Sequence, residues 1–273
     1  MNDTGSSYMN ELSRHLAHGR DSSRSSQRSV VTRGSWGLAH VTGAWAIDGK
    51  PRLVGRELES VRLLHTLDEV ARERLAAVVT ISAPAGMGKS RLIEEMMVVA
   101  RVSGFDQRIY AVAALPGDAP NALIARLIRA RFGIEADADE ATQRRQLLEG
   151  VGAALRDERV GDVCLFLGQL LGVRFEQTPL VRALSQDAFQ RDLALQSIVC
   201  DLFGAEAQRA PICFVLEDLQ HADAASLTIV SALLDAMGGA SLALCSARPE
   251  FFARHEHFSQ FAAARHEHLD LAP

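Results

Sequence analysis

The chain has 273 residues, 48% of them hydrophobic and 23% charged, and a formal net charge of −5. This is the composition of an ordinary soluble globular protein, with length for one large domain or two small ones. The acidic balance gives no footing for a nucleic-acid surface, and no apolar run reaches the ~20 residues of a membrane helix.

Residues 1–50 are rich in Ser, Arg and Gly, as in GRDSSRSSQRS, and carry little hydrophobic periodicity. They read as a disordered tail in which Trp36 and Trp45 are the candidate anchors. The opening MNDTGSSYMNELSR lacks the charged-then-apolar order of a secretory signal, so a cytoplasmic location is expected. Cys164, Cys200, Cys213 and Cys245 show no C-x-x-C pairing, which points to buried thiols rather than disulfides or a metal cluster.

Patterned sequence begins at residue 51 and runs as one domain to residue 273. Apolar residues at Leu58, Val61, Leu64, Leu67 and Ala71 step by threes and fours, predicting a helix from Glu57 to about Arg74. The run AAVVTIS, Ala76 to Ser82, predicts a buried parallel strand. The loop APAGMGKS follows at once, and SRLIEEMMVVARVSG reads as a helix closed by Gly104. Further strands are predicted at QRIYAVAA, PICFVLED (Pro211 to Asp218), SLALCSA (Ser241 to Ala247) and HEHLDLA. Between the first and second of these lies a mainly helical stretch, Ala119 to Gln208, in which Leu195, Ile198, Val199 and Leu202 share a helix face. Strands interleaved with helices predict an α/β fold: a parallel five-stranded sheet flanked by helices, with a helical insertion.

Strand, glycine-rich turn and helix are the setting of a phosphate-binding loop. In such a loop successive backbone N–H groups turn inward and hold a phosphate at the helix N-terminus. Gly86 and Gly88 are suited to that nest, Lys89 to the phosphate charge and Ser90 to a Mg²⁺ ion, with Ala85, Met87 and Arg91 completing the stretch. Ala83 stands where the pattern usually opens with glycine, a small departure at a residue that need not approach phosphate closely. Lysine occurs only at Lys50 and Lys89, against 27 arginines (29 − 2). A compact ammonium fits between phosphates in a tight loop where a planar guanidinium does not.

The segment ICFVLEDLQHAD ends an apolar strand in adjacent carboxylates, placing Glu217 and Asp218 at the sheet edge where ligands bind. One is suited to Mg²⁺ and the next to orienting an attacking water. The strand in SLALCSARPE delivers Arg248 to the same edge, where its guanidinium can sense a γ-phosphate or pair with Glu250. The doubled motif ARHEHF and ARHEHL carries His255, His257, His266 and His268. Were the span one helix, the copies would lie ~16 Å apart, too far to share a metal; with the second copy a strand, His266 and His268 share one face but lack a further ligand, so solvated surface histidines are expected.

The segments LVGRELESVRLL, ISAPAGMGKSRLIEE, FVLEDLQHADAASL and LALCSARPE occur in that order. Together they resemble the AAA-type ATPase domain of bacterial STAND signalling proteins, the kind fused to protein kinases, adenylate cyclases or helix-turn-helix regulators. The resemblance spans about Pro51 to Pro273. It implies a P-loop NTPase (AAA/STAND-like) that binds Mg-ATP, hydrolyses it to ADP and phosphate, and works as a molecular switch. It also implies that Val54, Gly55 and Arg56 cover the adenine, that Ser90 and Glu217 hold Mg²⁺, that Asp218 orients water and that Arg248 is the sensor. The Arg248 strand is then expected between the loop strand and the acid strand.

Departures from the family pattern bear on rate. Glu217 stands where aspartate is common and Asp218 where a longer glutamate often activates water, so slow turnover is expected; His221 replaces a frequent tryptophan. The family normally continues past HLDLAP into a helical or winged-helix domain. Self-association or a downstream effector domain is the expected partner besides ATP and ADP, with no direct nucleic-acid or membrane contact. A small-molecule P-loop kinase would use the same Lys89 and Ser90 without LEDLQHAD, and an interaction module with a decayed site would not need to keep either residue.

Overall fold

The computed structural model describes residues 55–101, 105, 108–155, 159–175, 188–259, 261 and 264–272. The tail with Trp36 and Trp45, together with Val54 and Gly104, lies outside them. All five predicted strands are present: β1 (Ala76–Ser82), β2 (Ile109–Ala113), β3 (Ile212–Glu217), β4 (Ser241–Ala247) and β5 (Arg265–Asp270). They form one sheet in the order β2-β3-β4-β1-β5, and every neighbouring pair is parallel. Before β1 comes α1 (Glu57–Glu73), and α2 (Lys89–Ala100) follows it. The predicted insertion between β2 and β3 holds α3 (Ala122–Phe132), α4 (Glu140–Leu155), α5 (Val160–Leu171) and α6 (Ala188–Ala207). Then come α7 (Ala224–Asp235), after β3, and the short α8 (Pro249–Arg254), after β4.

Every position of β1, β3 and β4 is buried, which is why these strands read as unbroken apolar runs. Their period of two is recovered in space. Val78, Phe214, Leu216, Ala243 and Cys245 face a core shared with α3 to α7, while Val79, Ile81, Val215, Leu242 and Leu244 face one shared with α1 and α2. A one-residue slip in any strand would exchange the two sets. Burial of each large aliphatic side chain contributes ~1.5–3 kcal/mol, so the register is strongly held.

The predicted helix is α1, and its buried face is Leu63, Thr66, Leu67 and Val70, while Leu58 is 79% and Val61 42% exposed. Two apolar stripes overlap in that helix, and contact with the sheet selects one of them. One expectation needs correction: not all four histidines are solvated, since His266 and His268 are half-buried on one face of β5. They bracket the Thr80 hydroxyl, with His266 Nε2 at 2.9 Å and His268 Nδ1 at 2.6 Å. Burial, with His268 reinforcing it, lowers the pKa of His266.

Candidate functional site

Ala83 carries β1 into the loop. It is 1% exposed, packs in the core beside α1 and α2, and its N–H donates to Ala247 O at 3.3 Å. The alanine in the usual glycine position is therefore the last core residue of the strand. The conformations that do require glycine come later, at Gly86 (φ 82°) and Gly88 (φ 87°), where a Cβ would be strained. Gly88 also caps α2, accepting the first helical bond from Leu92 N–H at 2.9 Å.

Lys89, the first residue of α2, is 8% exposed. Its ammonium donates to Ala83 O at 2.6 Å and Pro84 O at 3.0 Å, closing the loop around itself. Burial lowers its pKa and Arg248 acts in the same direction, while Asp218 and Glu217 oppose both. These four side chains meet because β4 lies between β1 and β3, as expected, and all three strands run the same way.

Ser90 Oγ donates to Glu217 Oε2 at 2.8 Å. Glu217, the last residue of β3, is 1% exposed, and its Oε1 is buried without a hydrogen-bond partner among the described residues. Burial foremost, with the charges of Asp218 and Glu94 beyond it, pushes its carboxyl up to about 8 despite Ser90 and Lys89. A hard cation takes oxygen ligands, and a serine hydroxyl beside a carboxylate with one unsatisfied oxygen fits Mg²⁺.

Asp218 leaves the strand in a left-handed turn (φ 54°), and its Oδ1 accepts from Gln220 Nε2 at 3.0 Å. Gln220 Oε1 in turn accepts the backbone N–H of Arg248 at 3.1 Å. Arg248 is exposed at the N-cap of α8, and no ion pair joins it to Glu250 among the described residues. Gln220 carried no signal in the sequence, since a glutamine two residues after an acid is unremarkable until the tip of β4 is known to lie beside it.

The remaining predicted residues divide. Arg56 reaches the site: its Nη2 donates to Met87 O at 3.4 Å and to Ala272 O at 2.5 Å, joining the start of α1 to the loop and to the segment after β5. Gly55 is exposed beside it, and Ala85 and Gly86 are exposed on the loop. Met87 packs against the core beneath. Arg91 turns to its own helix, pairing with Glu94 at 3.3 Å and Glu95 at 3.2 Å. Asp223 has a structural task, capping α7 through Ser226 N–H at 2.9 Å and holding Asn121 N–H at 3.1 Å at the start of α3.

A parallel sheet whose strand enters a glycine loop and a helix, with acids on a nearby tip, defines the P-loop NTPase class. The family comparison agrees: the model of the AAA ATPase domain matches residues 52–245, and the chain belongs to that family. The match includes the loop and both acids and stops short of Arg248 and β5. No curated protein matches the chain. Among the described residues no helix is long and apolar enough to cross a membrane.

Proposed function

We propose that this domain binds Mg-ATP, hydrolyses it slowly to ADP and phosphate, and serves as a STAND-type molecular switch in a cytoplasmic signalling or regulatory protein. The observation that carries the reading is the Ser90–Glu217 pair beside the buried ammonium of Lys89. Backbone N–H groups of Gly86 to Ser90 and the N-terminus of α2 would receive phosphate oxygens. Lys89 offsets phosphate charge once a nucleotide competes for the ammonium now held by Ala83 and Pro84 carbonyls. Ser90 and Glu217 would hold Mg²⁺, which supplies Lewis-acid polarisation of the phosphate when bound. Asp218 would orient the attacking water and Arg248 would read the γ-phosphate, with Gly55 and Arg56 beside the base.

Slow turnover follows from reach. Asp218 is one methylene shorter than the glutamate that often fills this role. A switch of this kind spends most of its cycle with nucleotide bound, and its readout is a partner, either a second copy or an effector domain. Single-turnover phosphate release tests the chemistry: Asp218→Asn is expected to slow it ~10²–10⁴-fold, the usual worth of a positioned base. Unchanged release in that variant would remove Asp218 from its role.

A further inference from the structure

The β3–β4 ladder ends at Leu216 and Cys245, before either functional tip is reached. Beyond it Asp218 turns left-handed (φ 54°) and the chain enters the short helical turn Leu219–His221. One side chain bridges the two strands there. The amide of Gln220 donates to Asp218 Oδ1 at 3.0 Å and accepts from Arg248 N–H at 3.1 Å. Chemistry fixes its orientation, since a carboxylate only accepts and a backbone N–H only donates. A carboxylate at this position could serve Arg248 but not Asp218, and an aliphatic side chain could serve neither.

We propose that Gln220 is a positioning residue that couples Arg248 to Asp218, so that the acid is held in its working orientation only while the tip of β4 is in place. The proposal deepens the reading above and rests on it. Arg248 begins α8, and its backbone follows its side chain when the guanidinium engages a phosphate; Gln220 transmits that shift across the gap left by the ladder. Without the amide, Asp218 keeps its charge and its backbone turn but loses the donor that fixes its side chain. Misplacement of a positioned group by about an ångström costs on the order of 10²-fold in rate.

The test is single-turnover hydrolysis and ATP affinity for the parent, Gln220→Leu, Gln220→Glu, Asp218→Asn and Asp218→Asn with Gln220→Leu. The expected result is a rate ~10–100-fold lower in Gln220→Leu with ATP affinity within about twofold of the parent, the pattern of a group acting on the chemical step. Gln220→Glu, which keeps the acceptor and loses the donor, is expected to fall at least as far. In the Asp218→Asn background the leucine substitution should cost less than about twofold, because Gln220 acts through Asp218. A merely structural Gln220 would lower both backgrounds equally, and that additivity overturns the coupling. A parental rate in either Gln220 variant overturns it as well, so one assayable variant is enough. A parent that binds no ATP defeats the site reading itself, whereas a parent that binds and hydrolyses while the variants match it defeats only the coupling.

Discussion

Two buried glutamates, Glu217 and Glu206, sit 1% and 7% exposed at opposite ends of β3's neighbourhood and live under opposite rules. Glu206, on α6, is surrounded by partners: Arg108 Nε at 3.1 Å and the Tyr110 hydroxyl at 2.7 Å reach Oε1, while Oε2 is ion-paired with the guanidinium of Arg131 without a hydrogen bond among the described residues. It fastens the helical insertion to β2. Glu217 has one serine hydroxyl and an oxygen without a hydrogen-bond partner among the described residues, and burial, with the charge of Asp218 adding to it, pushes its carboxyl up to about 8. A buried acid surrounded by cations holds a fold together. A buried acid left half-satisfied beside a phosphate loop is poised for a ligand that the fold itself does not supply.

Substitutions separate the two most sharply at Glu206. Glu206→Ala leaves two arginines around an empty site and should cost ~3–5 kcal/mol of stability, the usual cost of breaking one side of a buried ion pair. Nucleotide affinity of the folded fraction should be unchanged; a loss under 1 kcal/mol in chemical denaturation would show that the node is ornamental. The effect at Glu217 is smaller and has the opposite sign. Its folded pKa lies above the ordinary 4.5, so the stability it contributes is complete below that value and is lost as pH rises through about 8. Glu217→Gln has no such slope. Without ligand it should melt above the parent at pH 9, with the difference closing by pH 5; parallel curves would mean that Glu217 is solvated.

The smallest effect contrasts an exposed arginine with the half-buried pair around Glu206. Arg248→Ala should leave stability unchanged and weaken ATP roughly tenfold, the worth of a charge-assisted hydrogen bond, with ADP affinity intact. Equal loss for both nucleotides would mean that Arg248 does not read the terminal phosphate.

The sheet was legible because each strand is a short apolar run bounded by turn residues, and β1 and β4 match their predicted limits of Ala76–Ser82 and Ser241–Ala247. The loop was legible because its chemistry is contiguous: glycines, lysine and serine must be neighbours in sequence to be neighbours around a phosphate. What escaped depends on partners distant in the chain. Which stripe of α1 is buried is decided by the sheet, not by the helix, and so the spacing that revealed the helix did not show that Leu58 is exposed. His266 and His268 gained a shared partner, Thr80, 186 and 188 residues away, when β5 docked on β1. Gln220 is the clearest case, since its importance arises only where the tips of two strands distant in sequence come together.

The most direct measurement is calorimetric titration of Mg-ATP into the parent and into Lys89→Ala. A buried ammonium that exchanges two loop carbonyls for phosphate oxygens should make the parent bind at least ~100-fold more tightly than the variant, the scale of losing charge-assisted contacts in a water-poor site. Equal affinity in the two proteins, or no heat of binding in the parent, would contradict the assignment of this loop as a nucleotide site.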